Sequence, residues 1–231
     1  MIRQRGVKNP ESLNPIGEET EPTATDNAAV VYRIYDRHTP GAAAVFALVS
    51  ARSGEGTTYC AITIAESIHH LLGDLSVLLV DANMLHGELS ELVDSPQKGW
   101  LDWLGDTDRY SIQEAVVPWA GHPGVSMLPS GDRPGPEGKH RALQLFDALS
   151  GLKANFDFIL IDCPPFFGDR LAPRFCTGAD GTIIVIEAEK TRKSSARTMV
   201  AELRTVGSDI LGAVLNKRRY HIPHWLYDRI F

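Results

Sequence analysis

The chain has 231 residues, of which 43% are hydrophobic, and this suits one α/β domain with a sizeable core rather than two domains. Its net charge of −6 gives no electrostatic reason to expect a nucleic-acid partner. No apolar run approaches the length of a membrane span, and the polar N-terminus lacks the apolar stretch of a signal peptide, so we expect a cytoplasmic protein.

The chain begins with a segment that is poor in large apolar residues. Residues 1–27 are rich in Glu, Pro, Thr and Asn, which predicts a disordered tail. Residues 28–231 are predicted to form a single domain. Its first part, Ala28–Arg37, is predicted to be a short helix or a strand that docks on the body.

Apolar runs then alternate with helical patterns. The predicted strands are Val45–Val49, Val77–Val80, Val125–Leu128, Phe158–Ile161, Thr182–Ile186 and Ile210–Leu215. The predicted helices are Thr57–Leu72, Leu85–Val93, Ile112–Val116, Lys139–Ala154 and Arg192–Val206. This alternation predicts an α/β fold with a mostly parallel central sheet flanked by helices on both faces. Ligands of such sheets bind at the carboxyl ends of the strands.

The first strand leads through a glycine-rich turn into a helix, which is the context of a phosphate-binding loop. Backbone N–H groups of the turn and of the helix N-terminus can surround phosphate oxygens. Thr58 fits the hydroxyl that ligates Mg²⁺, whereas Thr57 occupies the position where such loops carry lysine. The predicted nucleotide-binding residues of the turn are Arg52, Ser53, Gly54, Glu55, Gly56, Thr57 and Thr58.

Two further strands are followed by acidic residues. Asp81 comes directly after Val77–Val80, and Asp162 comes directly after Phe158–Ile161. A carboxylate at this edge can hold Mg²⁺, and it can orient or deprotonate an attacking hydroxyl. Each aspartate alone is better explained as a helix cap or turn former. Together with the glycine-rich turn, and in this order, they favour a nucleotide site.

With these motifs the chain resembles the bacterial tyrosine kinases (BY-kinases) of capsule and exopolysaccharide assembly, within the wider ParA/MinD-type ATPases. The resemblance covers roughly residues 42–220. It implies a P-loop NTPase fold, ATP or ADP with Mg²⁺ as cofactor, Mg²⁺ ligation by Thr58, Asp81 and Asp162, and catalytic roles for the two aspartates. The matching segments are Ser50–Thr58, Asp81–Asn83, Gly99–Leu104, Met127–Gly131, Asp162–Pro165, Ala179–Gly181 and Val214–Asn216.

The chain also departs from the family pattern. Thr57 replaces the loop lysine, Asn83 replaces the second acid of an Asp-x-Asp motif, and Ser53 replaces the loop proline. Only Tyr220 and Tyr227 lie where the family carries a C-terminal tyrosine cluster. Loss of the lysine removes a fixed charge that would stabilise developing phosphate negativity.

Two more residues have open interpretations. Arg52 occupies the place of the extra signature lysine of ParA/MinD-type loops, so it either reaches a phosphate, in its own site or across a dimer, or is a solvated loop residue. Asn216 aligns with an asparagine that contacts adenine in related ATPases, and its amide can pair with a base edge. The alternative is that Asn216 forms a strand-end turn.

The resemblance implies work with a membrane polysaccharide co-polymerase at the inner membrane face. The favoured hypothesis is a nucleotide-binding or degenerate regulatory partner of that protein. The alternatives are an active tyrosine kinase or ATPase and, less consistent with the loop, a ParA/MinD-like positioning ATPase. Assembly into a homo-oligomer is an additional hypothesis. Ala28–Arg37 and Tyr220–Phe231 are the candidate contact surfaces, since neither belongs to the nucleotide motifs.

Overall fold

A computed structural model describes residues 24–84, 87–93, 98–108, 111–131 and 144–218. The helices are α1 (Ala24–Tyr35), α2 (Thr57–Leu72), α3 (Trp100–Gly105), α4 (Leu145–Ser150), α5 (Ala172–Gly178) and α6 (Lys193–Thr205). The strands are β1 (Ala44–Ser50), β2 (Val77–Asp81), β3 (Val117–Pro118), β4 (Val125–Leu128), β5 (Phe158–Asp162), β6 (Gly181–Glu187) and β7 (Ile210–Asn216). Within these ranges, 3₁₀ turns cover Ser90–Leu92 and Ile112–Ala115.

The described strands form one sheet in the order β3-β4-β2-β5-β1-β6-β7. All pairs are parallel except β3 with β4, which is antiparallel. The predicted parallel α/β sheet is therefore confirmed, with all six predicted strands present. The short edge strand β3 was not predicted, because two residues cannot show a periodic pattern and Pro118 is typical of an edge. The order places β1, and the turn that follows it, between β5 and β6.

Helices cover both faces of the sheet, as predicted. Alternate residues of β1 enter two separate cores, because successive strand side chains point to opposite faces. Phe46 and Leu48 pack with α1 and α2, whereas Val45, Ala47 and Val49 pack with α3 to α6. The first core includes Val31, Ile34, Ile64 and Ile68, and the second includes Trp100, Leu149, Phe175 and Met199. A sheet buried on both faces explains why its strands are continuous apolar runs.

The segment that was predicted as a short helix or strand is the helix α1, which packs against α2. It begins at Ala24, four residues inside the segment predicted as a disordered tail. Asn27 is buried, and its Nδ2 donates a hydrogen bond of 3.3 Å to Ser67 Oγ. Residues 1–23 of the predicted tail lie outside the described residues. The packed body therefore includes part of a segment whose composition alone predicted no structure.

Three predicted helices differ from the structure. In the described part of Leu85–Val93 there is only the 3₁₀ turn Ser90–Leu92, because Ser90 hydrogen-bonds to Asp81 instead of continuing a helix. Ile112–Val116 is a 3₁₀ helix ending at Ala115. Of Lys139–Ala154, the structure has the helix α4, and residues 139–143 lie outside the described residues. The helices α3 and α5 were not predicted, because six or seven residues are too few to show a clear helical period.

None of the described helices combines the length and the apolar character that a membrane crossing requires.

Candidate functional site

The glycine-rich turn lies at the carboxyl end of β1, between Ser50 and the first residue of α2, Thr57. Gly54 and Gly56 have φ angles of 83° and 88°, in the left-handed region that glycine enters without strain. A Cβ at Gly56 would also collide with the amide of Asn216. The chain can therefore turn tightly into α2 only with glycine at this position, and the N-terminus of that helix faces the space above the sheet edge.

Glu55 holds the turn from inside. One carboxylate oxygen accepts hydrogen bonds from the N–H groups of Ala51 (2.8 Å) and Arg52 (3.2 Å), and the other accepts from Thr191 Oγ1 (2.7 Å). Glu55 is only 5% exposed. Two backbone donors of the turn are thus already engaged, so a bound anion would depend on the donors nearer to α2. The sequence pattern did not distinguish this internal brace from a residue that faces a ligand.

Thr57 takes the lysine position with an uncharged side chain. Its Oγ1 donates to Ser50 Oγ (2.8 Å), and Ser50 Oγ donates to the carbonyl oxygen of Arg52 (2.9 Å). Thr57 is 9% exposed. Neutral hydroxyl groups therefore close the turn, and they bring no positive charge to the place where a phosphate would bind.

Thr58 and Asp162 are brought together, as predicted from their motifs. Thr58 Oγ1 donates a hydrogen bond of 2.6 Å to Asp162 Oδ2. The other oxygen, Oδ1, is buried and has no hydrogen-bond partner among the described residues. Burial raises the pKa of Asp162 well above its ordinary value, the bond from Thr58 opposes this rise, and the nearby Asp81 adds to it. An unpartnered carboxylate oxygen in this position is suited to a cation.

Asp81 lies beside Asp162 in the register of β2 and β5, but its carboxylate points to different partners. Its oxygens accept from the N–H of Asn83 (3.0 Å), the N–H of Ser90 (2.9 Å) and the Ser90 hydroxyl. Burial raises the pKa of Asp81 despite these bonds. The main-chain carbonyl of Asp81 accepts from Trp100 Nε1 at 2.9 Å. Asp81 therefore holds the segment that follows β2.

The glycine turn and the start of α2 border a cavity of about 260 Å³. Its lining consists of Ser50, Ser53, Gly54, Gly56, Thr57, Thr58, Asn83, Glu88, Cys163, Pro165 and Lys217. Arg52 is exposed and does not line it. Asn83, which replaces the second acid of the family motif, is 8% exposed, and its Oδ1 is a second buried oxygen without a partner among the described residues. The sequence did not identify Glu88 or Lys217 as neighbours of the site.

Asn216 ends β7 and fastens it to the turn. Its Nδ2 donates to the carbonyl oxygen of Glu55 (3.0 Å), and its Oδ1 accepts from the N–H of Lys217 (2.9 Å). Asn216 is 2% exposed. Lys217 was missed because only the adjacency of β7 to β6 brings its side chain back over the turn; the one sequence signal was a basic residue directly after Asn216. Tyr220 and Tyr227 lie outside the described residues.

The donor set at the carboxyl ends of β1 and β5 fits Mg²⁺. This ion prefers oxygen ligands and usually binds through one or two carboxylates together with water and substrate phosphates. Thr58, which lines the cavity, provides one such oxygen, and Asp162, which accepts a hydrogen bond from Thr58, provides a second. The described residues contain no cluster of three or more His, Cys, Asp or Glu that could hold a metal. A cation here would thus need phosphate or water oxygens to complete its shell.

Comparison with known proteins gives the evolutionary context of this site. Residues 43–199 match the model of the protein family described as cellulose biosynthesis protein BcsQ. The tyrosine-protein kinase CpsD of Streptococcus agalactiae is 25% identical over 177 residues, which cover 75% of each chain. An uncharacterized ATP-binding protein of Methanocaldococcus jannaschii is 25% identical over 175 residues, which cover 76% of this chain. The match spans 64% of that protein, less than two thirds of its length.

A solved structure gives the same picture. The kinase domain of VpsO superposes with a TM-score of 0.70 at 25% identity, covering 84% of this chain and 93% of that chain. The predicted resemblance to P-loop proteins of the BY-kinase type is therefore confirmed, and so is the predicted P-loop NTPase fold. The relatives thus include a tyrosine-protein kinase, CpsD, and a putative tyrosine-protein kinase, CapB of Staphylococcus aureus.

Proposed function

We propose that this chain, which belongs to the family of the cellulose biosynthesis protein BcsQ, is a nucleotide-binding, kinase-like protein of bacterial exopolysaccharide assembly. Its ligand is ATP or ADP with Mg²⁺, and its own phosphoryl transfer is weak. One observation carries the proposal: the Thr58 hydroxyl lies on the same cavity as the glycine turn and donates to Asp162, whose other oxygen is buried without a partner among the described residues. The cellulose biosynthesis family and the tyrosine kinases among its relatives support the biological setting.

The phosphates would bind against the backbone N–H groups of Gly54–Thr58. The last of those groups, at Thr57 and Thr58, form the start of α2, a helix of 16 residues, whose positive dipole end attracts anions. Thr58 and Asp162 would hold Mg²⁺, which neutralises phosphate charge when it is bound. The Glu55 carboxylate stabilises the turn by accepting hydrogen bonds from its first N–H groups, those of Ala51 and Arg52, and leaves the later N–H groups to the ligand.

Asp81 acts in this proposal as a positioning residue. Its hydrogen bonds fasten Asn83 and Ser90. Asn83 itself and Glu88, which lies just before Ser90, line the cavity wall. A direct role of Asp81 in Mg²⁺ binding or catalysis, which the family resemblance implies, would require it to exchange those bonds for the ion. Asp162 is the carboxylate with an oxygen that accepts no hydrogen bond from the described residues.

Weak phosphoryl transfer follows from Thr57. A lysine in this position would place a charge on the transferred phosphoryl group, and electrostatic stabilisation of that kind supplies much of the rate enhancement in such sites. The hydroxyl bond from Thr57 to Ser50 cannot supply it. The second function, an active tyrosine kinase, is favoured by the retention of Thr58 and Asp162 in contact with each other.

A partner at the membrane is part of the proposal. We place the contact with a membrane polysaccharide co-polymerase, and thereby a peripheral location at the inner membrane face, on α1 and on Tyr220–Phe231. Tyr32 and Tyr35 of α1 are 54% and 46% exposed, and exposed tyrosines are frequent in protein interfaces. The second surface lies outside the described residues. A homo-oligomer that uses the same surface is the competing arrangement.

The proposed ligand is tested by calorimetric titration of the full chain with ATP and ADP, each with and without Mg²⁺. We expect binding that Mg²⁺ strengthens, and loss of this Mg²⁺ effect in Asp162→Ala. Asp147→Ala, which changes an exposed aspartate on α4, is the matched control. Absence of nucleotide binding by the natural chain would refute the proposal. Incubation with labelled ATP followed by a phosphotyrosine blot separates the weakly active protein from an active kinase.

A further inference from the structure

A lysine does reach the cavity, although it comes from the other end of the chain. Lys217 follows β7, and its Nζ donates a hydrogen bond of 2.6 Å to the carbonyl oxygen of Gly54. It is the only Lys or Arg among the described residues that line the cavity, and Thr57 and Thr58 line the same space. Its amino group thus lies on the turn that would bind the phosphates.

The backbone at Lys217 is built to direct this side chain. Lys217 has a φ angle of 53°, in the left-handed region that non-glycine residues seldom enter. The N–H of Lys217 is held by Asn216 Oδ1 (2.9 Å), and Asn216 Nδ2 is bound to the carbonyl oxygen of Glu55 (3.0 Å). Such unfavourable conformations persist where surrounding contacts hold them, and they cluster at ligand sites. The corner after β7 is therefore fastened to the turn by its own side-chain bonds.

The charge around Lys217 leaves it able to take a new partner. Its Nζ lies 3.7 Å from Glu187 Oε1, an oxygen that is also 3.1 Å from Lys190 Nζ. Glu187 is 8% exposed, so it needs a cation nearby. Because Lys190 remains with Glu187, Lys217 can turn towards an anion in the cavity without leaving a buried carboxylate unpaired.

We infer that Lys217 supplies, from the end of β7, the phosphate-binding cation that Thr57 does not. A phosphate oxygen of the bound nucleotide replaces the carbonyl oxygen of Gly54 as the partner of Nζ, with no covalent change. Arg52 is the less suitable residue, because it is exposed and does not line the cavity. This inference rests on the proposed nucleotide-binding function and names the residue that sets its phosphate affinity.

The test is calorimetry on the full chain with Mg-ATP, Mg-ADP and adenosine. Lys217→Met removes the charge and keeps much of the side-chain length, whereas Lys217→Arg keeps the charge. Lys193→Met is the matched control, since Lys193 is exposed at the start of α6 and does not line the cavity. We expect Lys217→Met to weaken Mg-ATP binding about ten- to hundredfold, the cost of one hydrogen bond between charged groups. Adenosine affinity should stay unchanged in Lys217→Met, Mg-ATP affinity should stay unchanged in Lys193→Met, and Lys217→Arg should retain most of the Mg-ATP affinity.

The alternative outcomes are distinct. An equal loss of adenosine and Mg-ATP affinity in Lys217→Met would mean that the corner holds the base, and this would overturn the inference. So would unchanged or tighter Mg-ATP binding, the latter because Lys217 would then obstruct the site. A melting temperature for Lys217→Met close to that of Lys217→Arg separates lost charge from lost fold. If the natural chain binds no nucleotide at all, the proposed function itself fails, and this inference fails with it.

Discussion

The ends of β2 and β5 are alike in sequence and unlike in chemistry. Each is a buried apolar strand that ends in aspartate, and Asp81 and Asp162 lie opposite each other in the parallel register. Asp81 uses its oxygens to bind Asn83 and Ser90, whereas Asp162 has one bond from Thr58 and one buried oxygen without a partner in the described part of the chain. Strand position therefore decides where a carboxylate lies, and the loop that follows decides whether it is available to a ligand.

The strongest test of this comparison is Asp162→Ala. Because Asp162 supplies an unpartnered oxygen beside Thr58, we expect the Mg²⁺ dependence of nucleotide binding to disappear. The fold should remain, since the change removes a buried carboxylate that only one described residue satisfies. Calorimetry with and without Mg²⁺ measures the binding, and Asp162→Asn keeps the shape without the charge. Persistence of Mg²⁺-dependent binding in both variants would move the ion elsewhere.

Asp81→Ala should lower the stability of the fold more than it weakens nucleotide binding. It leaves the N–H of Asn83 and the N–H and hydroxyl of Ser90 without their acceptor, so we expect a loss of about 2–4 kcal/mol in the free energy of unfolding. Urea denaturation measures this loss. Nucleotide binding at temperatures well below the transition should weaken less than in Asp162→Ala. Unchanged stability combined with complete loss of Mg²⁺-dependent binding would instead place Asp81 in the metal site.

The pH dependence tests whether Asp162 is the group that exchanges a proton for Mg²⁺. A carboxyl group whose pKa is raised on folding is protonated in the folded state at pH values where the unfolded chain has lost the proton. Stability from Asp162 is therefore present below its ordinary pKa of 3.8 and is lost as the pH rises towards the raised folded pKa. Mg²⁺ competes with this proton, so Mg²⁺-dependent nucleotide affinity should increase over the same window. Titrations across this pH range should show a flatter profile for Asp162→Asn; an equal slope would assign the proton to another group.

Thr57→Lys tests whether the turn itself can accept the missing charge. A lysine here breaks the hydroxyl bond to Ser50 but places a cation beside the proposed phosphates. We expect tighter Mg-ATP binding, by up to about tenfold, and a gain in labelled-phosphate transfer. Thr57→Ser, which keeps the hydroxyl, is the control. The view of a weakened site would be contradicted if the natural chain hydrolysed ATP at a rate typical of the family and Thr57→Lys did not increase that rate.

The smallest effect should come from the N-terminus. Residues 1–23 carry few large apolar residues, and deleting them should change the melting temperature by only a few degrees. Deletion of residues 1–35 should cost much more, because it removes Val31 and Ile34 from the core under α1. Thermal denaturation of both truncations makes the comparison. A large drop for the shorter deletion would show that the tail contributes to the body.

Much of the fold could be predicted from the sequence. The continuous apolar runs determined the six main strands, because a sheet buried on both faces requires apolar residues at every position. The glycine turn and the strand-end aspartates determined the edge of the site, since parallel strands bring their carboxyl ends together. The short elements α3, α5 and β3 could not be predicted, because a few residues carry no measurable period.

The roles within the site were decided only by tertiary structure. Glu55 braces the turn because Thr191 lies next to it, and Asp81 is engaged because the chain returns to place Ser90 on it. Lys217 reaches Gly54 because β7 pairs with β6 and the chain then turns in a left-handed conformation. These contacts join residues from 9 to 163 positions apart. Local sequence pattern determines which elements form, but only the packing of those elements selects the partner of each polar side chain.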